Sequence, residues 1–254
     1  MAPRAGAALV TGAGERLGRA FALKLASAGF PLIVHARHAD EDAAETVRLI
    51  EADGGKAAVV TGDLSDRFEL STLIKRAAEP FGPLAALVNS ASLFHDDRMG
   101  GITDETWDAH FAANLHAPVM LAQDFAAQVD ALPAGADPSI VNIIDQRVLK
   151  PNPQFFTYSL TKAALHRATI TMAQALAPRI RVNGIGPGPT LPSIHQSEAD
   201  FEAEAHATLL QRGSPPEALA EALAYLVDAK SVTGQMIAVD GGQHLNWKTA
   251  DLPE

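Results

Sequence analysis

Short apolar runs alternate along the chain with longer segments whose apolar residues recur every three or four positions. The short runs show no alternation of apolar and polar residues, which is typical of strands buried on both faces of a parallel sheet. Seven runs predict strands, at 7–10, 31–36, 56–61, 84–89, 139–144, 180–185 and 235–240. Amphipathic segments predict helices, at 17–28, 40–52, 66–79, 104–129, 157–177 and 215–228. This order of elements predicts an α/β fold, with a doubly wound parallel sheet of about seven strands flanked by helices.

The longest segment outside this pattern is 186–213, which is rich in proline at first and then acidic and helix-permissive. Long segments between regular elements are often lids or binding loops, so we expect a substrate loop at about 190–212. Directly after it, Ser214, Pro215 and Glu217 predict a capping box that opens the last helix.

Composition narrows the possible classes of protein. The chain contains no cysteine, which excludes disulfides and thiolate chemistry. It has no signal-peptide pattern and no apolar run of about 18 residues, so we expect a cytoplasmic protein without a membrane partner. The net charge of −10 argues against a general nucleic-acid partner. An anionic cofactor remains possible, because backbone amides and a few arginines can bind phosphate in an acidic protein.

The segment TGAGERLG, residues 11–18, follows the first predicted strand and opens a helix. This is the context in which backbone N–H groups and the helix dipole bind a diphosphate. Gly12 and Gly14 fit the pattern G-x-G-x-x-G, but Leu17 stands where the third glycine belongs and Gly18 comes one position late. On this motif alone, a tight strand-to-helix turn without a ligand is the alternative.

The end of the second predicted strand favours NADP(H) as the cofactor. It reads His35-Ala36-Arg37, whereas sites for NAD commonly carry an acid there to bind the ribose 2′-OH. A guanidinium suits a 2′-phosphate instead. The alternative is that Arg37 is merely solvated. After the third strand, Asp63 and Leu64 are candidates for contact with the adenine edge.

Tyr158 and Lys162 are four positions apart on a predicted helix and therefore share one of its faces. A nearby ammonium stabilises a phenolate, so we expect Lys162 to lower the pKa of Tyr158. Tyr158 could then deliver a proton while a hydride arrives from a nicotinamide. The pattern is weak alone and gains weight from its place after the fifth strand.

The chain resembles the short-chain dehydrogenase/reductase family over essentially its whole length. The matching segments stand in the family's order: TGAGERLG (11–18), Asp63, VNSAS (88–92), Asn114, SIVNII (139–144), Tyr158 with Lys162, Pro187-Gly188, Thr233-Gly234 and VDGG (239–242). The resemblance implies a single Rossmann-type domain over 1–254. It implies that Tyr158 donates the proton, that Lys162 binds the nicotinamide ribose, and that Asn114 supports a relay water.

Three departures from the family pattern resemble one branch, the pteridine reductases and the similar bacterial dihydromonapterin reductases. Asp145 stands thirteen residues before Tyr158, where the family usually has a serine. Arg16 replaces a glycine, as in the branch's T-G-x-x-x-R-x-G. Ser92-Leu93-Phe94 fits the branch's N-A-S-x-F-like stretch, although Ser90 departs from the branch's asparagine.

The resemblance and the strand-end residues together define a candidate site. Its expected catalytic residues are Asp145, Tyr158, Lys162 and Asn114. Its expected NADPH-binding residues are Thr11, Gly12, Gly14, Arg16, Leu17, Gly18, His35, Arg37, Asp63, Leu64, Asn89, Ser90, Ala91, Tyr158, Lys162, Pro187 and Gly188. Its expected substrate-binding residues are Arg16, Ser92, Phe94, Asp145 and Tyr158. The histidines show no metal-ligand spacing, so no metal is expected.

These residues predict an NADPH-dependent reduction of a pterin-type ring, in a dihydropterin, dihydromonapterin or dihydrofolate, through an Asp/Tyr/Lys proton relay. A carbonyl reductase of the same fold and a non-catalytic dinucleotide-binding module are the alternatives. Asp145 could instead cap a strand end, Phe94 could be ordinary loop packing, and Arg16 could serve the diphosphate alone. The family resemblance also implies a homotetramer, with helices near 104–129 and 157–177 packed between subunits.

Overall fold

The computed structural model describes residues 4–193 and 196–247, and its centre is one seven-stranded parallel sheet. The strands are β1 Ala7–Val10, β2 Leu32–Ala36, β3 Ala57–Thr61, β4 Leu84–Asn89, β5 Ser139–Ile143, β6 Arg181–Pro187 and β7 Met236–Val239. Their order across the sheet is β3-β2-β1-β4-β5-β6-β7. The predicted fold class is confirmed, because the seven apolar runs form seven parallel strands of one sheet.

Eight α-helices are present in the part of the chain that the structure describes. They are α1 Arg16–Ser27, α2 Glu41–Ala52, α3 Arg67–Ala78, α4 Asp104–Phe111, α5 Ala117–Gln128, α6 Phe156–Leu176, α7 Glu198–His206 and α8 Pro216–Asp228. Apolar side chains of α1, α2 and α8 share one buried core, and those of α3, α5 and α6 share the other. Helices therefore cover both faces of the sheet, and none among the described residues is long and apolar enough to cross a membrane.

Strand order reverses at β1, which pairs with β2 on one side and with β4 on the other. In open α/β sheets, ligands bind in the crevice beyond the carboxyl ends of the strands at such a switch point. The loops after β1, β4 and β5 therefore converge on the place where a ligand is expected.

The predicted helix 104–129 is interrupted by a π-helical turn, Ala112–His116, between α4 and α5. Pro118 lies just after this turn and has no N–H to donate to the carbonyl of Asn114, its partner in a regular α-helix. The wide turn accommodates this missing bond. It places Asn114 at a local irregularity of a kind that is frequent at functional sites.

The segment predicted as a substrate loop contains helix α7, which the apolar pattern did not predict. Ser197 caps α7 through Asp200, and both bonds of a capping box are present. Residues 194 and 195 of the predicted loop, and residues 248–254 of the chain, lie outside the described residues.

The predicted capping box at Ser214 is wrong. Helix α8 begins at Pro216, and its N-cap is Pro215, with extended backbone at ψ 156°. A residue before proline is driven away from the helical region, so Pro216 forces the start of the helix one position later. The Ser214 N–H is instead donated to the carbonyl of Pro189, where it helps to hold the loop after β6.

Candidate functional site

A cleft of about 1050 Å³ opens at the carboxyl ends of the strands. Most of the predicted site residues line it: Gly12, Arg16, Leu17, His35, Arg37, Asp63, Leu64, Ser90, Ala91, Ser92, Phe94, Asp145, Tyr158, Lys162, Pro187 and Gly188. Five predicted residues lie behind its wall instead: Thr11, Gly14, Gly18, Asn89 and Asn114. The structure thus brings both groups together, with the second group supporting the first.

Thr11 and Asn89 act on the backbone of the cleft wall and on the sheet. The Thr11 hydroxyl oxygen accepts hydrogen bonds from the N–H groups of Ser90 (2.9 Å) and Ala91 (3.0 Å). The Asn89 amide donates to Asn142 of β5 at 2.8 Å, so this side chain ties two strands together. Both residues were predicted to bind cofactor, and their side-chain contacts are with the protein.

The glycines of the loop after β1 allow close backbone approach. A Cβ atom on Gly18 would lie 1.9 Å from the carbonyl oxygen of Gly12. Gly12 itself has φ 65°, and a Cβ there would lie 3.0 Å from the Cα of Ala91. A loop packed this tightly against the start of α1 presents N–H groups at a helix N-terminus, which suits a diphosphate.

Arg16 connects this loop to the predicted substrate loop. It has φ 50°, a left-handed backbone conformation that is uncommon for a non-glycine residue. Its guanidinium donates a hydrogen bond of 2.9 Å to the carbonyl oxygen of Pro192. Arg16 thus joins the loop after β1 to the segment predicted as a substrate loop.

His35 is a buried link between the first three strands. Its Nδ1 accepts from the N–H of Gly12 at 3.3 Å, and its Nε2 contacts the carbonyl oxygen of Gly62 at 3.0 Å. Burial lowers the pKa of His35 to about 4. The ring is therefore neutral at physiological pH, with its proton on Nε2, where it donates to Gly62.

Arg37 and Asp63 contact each other at the entrance to the same end of the cleft. Their ion pair spans 2.5 Å, and 65% of the Arg37 side chain is exposed. A 2′-phosphate approaching Arg37 would add a second anion beside the Asp63 carboxylate. An exposed guanidinium can bind both the phosphate and the carboxylate, because it carries five N–H donors.

Asp145 and Tyr158 form the central pair of the cleft. The Tyr158 hydroxyl donates to Asp145 Oδ2 at 2.9 Å. Asp145 Oδ1 accepts from the N–H of Arg147 at 2.8 Å, so the same carboxylate caps the short 3₁₀ turn that follows β5. The capping role and contact with Tyr158, which the sequence left as alternatives, are both present.

The expected lowering of the pKa of Tyr158 is wrong as the net result. Burial raises the pKa of Tyr158 well above its usual value, and the charge and hydrogen bond of Asp145 raise it further. The ammonium of Lys162 lies 5.5 Å from the Tyr158 ring centroid and donates to the carbonyl oxygen of Ile143 at 2.8 Å. The carboxylate of Asp145 is therefore hydrogen-bonded to the phenol, while the ammonium of Lys162 is bonded to Ile143 instead.

Lys162 is itself perturbed. It is 2% exposed, and burial lowers its pKa to about 8, against the opposing effect of the Asp145 charge. Lys162 is therefore mostly charged at neutral pH, and its charge is held in a site of low polarity. Such an ammonium interacts more strongly with a developing phenolate than one in water.

An aromatic wall closes the cleft beside Tyr158. The rings of Phe94 and Phe155 stack with centroids 4.1 Å apart, and Phe94 meets the Tyr158 ring edge-on at 4.7 Å. The guanidinium of Arg147 lies 5.5 Å from the Phe94 ring and 5.1 Å from the Phe155 ring. Sequence reasoning found Phe94 and missed Phe155 and Arg147, whose places depend on tertiary packing.

Phe155 owes its position to an unusual backbone. It is the N-cap of α6 and has φ 51°. A bulky residue with positive φ is a rare conformation that costs free energy and often occurs at ligand sites. No local sequence signal predicts it, because turn residues such as Gly and Asn are the ones usually associated with positive φ.

Asn114 holds the loop that carries Ser92 and Phe94. Its side-chain oxygen accepts from the N–H of Leu93 at 2.8 Å and from the Ser92 hydroxyl at 3.2 Å. Its amide donates to the Leu93 carbonyl at 2.9 Å. The side chain is thus committed to the loop, and only the backbone of Asn114 is left for the predicted relay water.

The outer end of the cleft carries polar residues that sequence reasoning did not find. Both side-chain oxygens of Glu204 on α7 accept hydrogen bonds, from the amides of Gln196 at 2.6 Å and Gln243 at 2.8 Å. Because a carboxylate only accepts, both amide NH₂ groups point towards Glu204. The carbonyl end of Gln243 is left without a partner among the described residues.

Comparison with known proteins agrees with this geometry. The short chain dehydrogenase family model matches residues 6–203. The crystal structure of FolM alternative dihydrofolate reductase 1 from Brucella suis, in complex with NADP, is 46% identical, superposes with a TM-score of 0.92, and aligns over 98% of each chain. The corresponding NADP complex from Brucella canis is also 46% identical with a TM-score of 0.92, over 98% of this chain and 97% of that one.

A more distant relative is a 3-oxoacyl-[acyl-carrier-protein] reductase, FabG, of Staphylococcus aureus. It is 31% identical over 94% of this chain and 98% of its own length. The family match covers most of the chain and includes the loop after β1 and the Tyr158 helix. The chain therefore belongs to the short-chain dehydrogenase family of oxidoreductases.

Proposed function

We propose that this oxidoreductase reduces a pterin-type ring with NADPH. The observation that carries the proposal is the hydrogen bond between Tyr158 and Asp145, set beside the aromatic wall of Phe94 and Phe155. A flat heterocycle with a ring C=N needs a surface for stacking and a proton source beside it. The 46% identity to an alternative dihydrofolate reductase supports this class of substrate.

The residues present fit NADPH. The close packing of Gly12 and Gly18 leaves no room for side chains where a diphosphate would meet the backbone. Arg37 lies at the end of β2, where a 2′-phosphate would be bound, and the two Brucella relatives hold NADP. When bound, the nicotinamide supplies the hydride that reduces the ring.

Tyr158 acts as the proton donor. Its raised pKa keeps the hydroxyl protonated until a ring nitrogen gains electron density. As the proton leaves, the buried ammonium of Lys162 stabilises the phenolate that forms. Asp145, which accepts from Tyr158 in the resting site, can take a proton from water and return it to the phenolate.

Asn114 serves the relay through its backbone. Its side chain is engaged with the loop at Leu93, and Pro118 cannot donate the regular helical bond to its carbonyl oxygen. That carbonyl is therefore suited to accept from a water between Lys162 and the solvent. The π-helical turn is the feature that makes this acceptor available.

A carbonyl reductase is the second candidate, favoured by the 31% identity to 3-oxoacyl reductases. A serine hydroxyl can donate to a ketone oxygen as it becomes an alkoxide, whereas a carboxylate can only accept. Asp145 therefore disfavours this candidate. A binding module without turnover would have no need of Tyr158 and Lys162 in one buried site.

The test is to supply the purified protein with NADPH or NADH and a panel of dihydropterins, dihydrofolate and simple ketones. We expect NADPH oxidation with at least one dihydropterin, slower oxidation of NADH, and little with ketones. Turnover of ketones alone would contradict the proposal and support the carbonyl reductase. Tight NADPH binding without any turnover would support the binding module.

A further inference from the structure

A buried chain of hydrogen bonds lies behind the aromatic wall and joins three elements. It runs through Asp97 in the loop after β4, Thr157 in the first turn of α6 and His110 on α4. His110 and Thr157 are fully buried, and Asp97 is 7% exposed. None of the three is among the described residues that line the cleft, so we expect no contact between them and cofactor or substrate.

The donor and the acceptor of every bond in this chain of hydrogen bonds can be assigned. The N–H of His95 donates to His110 Nε2 at 3.1 Å, so that nitrogen carries no proton. The proton on Nδ1 is then donated to the hydroxyl oxygen of Thr157 at 2.5 Å. The Thr157 hydroxyl in turn donates to Asp97 Oδ2. Burial lowers the pKa of His110, which agrees with a neutral ring.

Asp97 also supplies the N-terminal cap that α6 lacks. The residue at the N-cap position is Phe155, whose side chain cannot accept a hydrogen bond. Asp97 Oδ1 accepts from the N–H of Thr157 at 3.0 Å, and the Asp97 carbonyl accepts from the N–H of Phe156 at 3.1 Å. A carboxylate at a helix N-terminus is stabilised by these donors and by the helix dipole.

The loop that carries Phe94 is therefore fastened on both sides of that residue. On one side, Asn114 binds the N–H and the carbonyl of Leu93. On the other side, the N–H of His95 is held by His110. Because Tyr158 follows Thr157 directly, the chain of bonds ties the position of the Phe94 ring to that of the Tyr158 hydroxyl.

We propose that Asp97, Thr157 and His110 are positioning residues that set the distance between the stacking wall and the proton donor. We expect this role to affect turnover of the second substrate, the pterin-type ring, and the inference therefore rests on the proposed function. The effect of this role on NADPH binding should be small, because most of the expected NADPH-binding residues lie around Gly12 and Arg37, away from the three residues. The three residues act through Phe94 and Tyr158, and misplacing a reacting group by about 1 Å can cost a factor on the order of 100 in rate.

Three threonine variants test this inference. Thr157→Val removes the hydroxyl with little change in shape, Thr157→Ser keeps the hydroxyl, and Thr171→Val is the matched control. Thr171 is on the same helix, is exposed, and its hydroxyl bonds only to carbonyls of the preceding turn. For each variant, kcat and KM are measured with whichever panel substrate the wild type reduces, and the NADPH Kd is measured by fluorescence.

We expect Thr157→Val to lower kcat/KM for the second substrate by roughly 10- to 100-fold while the NADPH Kd stays within about twofold. Thr157→Ser and Thr171→Val should resemble the wild type. A Thr157→Val protein with unchanged kcat/KM would overturn the inference. So would an equal loss of NADPH affinity, because that would show a general structural defect.

A second measurement separates this inference from the proposed function. If the wild type reduces no substrate, the proposed function fails. The positioning inference is then tested by the amide hydrogen exchange of residues 93–98. We expect faster exchange there in Thr157→Val than in Thr157→Ser, with exchange in the central strands unchanged. Equal exchange in the two variants would overturn the inference.

Discussion

At the scale of single residues, Asp145 distinguishes this site. The Asp145 carboxylate caps the turn after β5 and also accepts a hydrogen bond from the Tyr158 hydroxyl. An aspartate where the family usually has a serine therefore changes the chemistry of the site without disturbing the turn. Its presence beside Tyr158 was implied by the resemblance to the family, whose serine position it occupies. The effect on the pKa of Tyr158 could not be predicted, because it depends on burial and on Lys162 bonding to Ile143 instead.

Two substitutions separate the roles of this pair. We expect Tyr158→Phe to lower kcat on the order of 100-fold or more, since general acid catalysis is worth that much, and to leave NADPH affinity intact. Asp145→Asn should keep the turn, because an amide oxygen can still accept from Arg147, yet it should slow pterin reduction. Steady-state kinetics with a parallel NADPH titration measure both effects. Loss of NADPH binding in Tyr158→Phe, or full activity in Asp145→Asn, would contradict these roles.

His35 should make stability depend on pH. Its pKa is about 4 in the folded chain and near 6.5 when unfolded, so the unfolded state binds more protons between these values. Stability should therefore fall as the pH is lowered from about 6.5 towards 4, by up to ~3 kcal/mol. Urea unfolding of the wild type and of His35→Gln at several pH values measures this effect. The same pH slope in both proteins would contradict it.

At the scale of elements, the strands were predictable because each is a continuous apolar run that ends at a polar or turn residue. The interruption of the helix near Asn114 was missed, although Pro118 inside the predicted helix 104–129 was a signal for it, because proline cannot donate the regular helical bond. The start of α8 was misplaced because Pro216 overrides the capping preference of Ser214. Helix α7 was missed because its faces differ little in polarity, and only Ala205 is buried.

The loop between β1 and α1 gives a prediction at this scale. Gly18→Ala would place a Cβ 1.9 Å from the Gly12 carbonyl, so the loop and helix must separate. We expect the free energy of unfolding to fall by about 1–3 kcal/mol. The free energy of NADPH binding should weaken by more than the free energy of unfolding. Gly101→Ala is the control, because its added Cβ meets nothing closer than 3.7 Å. Thermal unfolding and NADPH titration measure the two losses, and equal behaviour of the two variants would contradict the prediction.

At the scale of the whole molecule, the sheet order accounts for the location of the site. The reversal at β1 brings together loops that are far apart in sequence, so Gly12, Ser92, Asp145 and Tyr158 line one cleft. Sequence alone predicted that these residues meet, through the fold that their motifs imply. It did not predict the outer set around Glu204, because no local pattern marks residues that converge from α7 and the segment after β7.

The homotetramer and the cytoplasmic location remain predictions. The helices expected between subunits carry exposed apolar residues, with Trp107 on α4 and Leu160 on α6 each 39% exposed. Burial of these two side chains against a second copy would fit that expectation. Among the described residues, the Asp145–Tyr158 hydrogen bond is formed within one subunit.

The central claim is that hydride passes from NADPH to a carbon of a pterin ring while the Asp145–Tyr158 pair supplies the proton. The most direct measurement uses NADPH deuterated at the transferable position of the nicotinamide, with a dihydropterin as substrate and mass spectrometry of the product. We expect a tetrahydropterin that carries deuterium at the reduced ring carbon. Oxidation of the cofactor without deuterium in the pterin, or a pterin that stays unreduced, would contradict the claim.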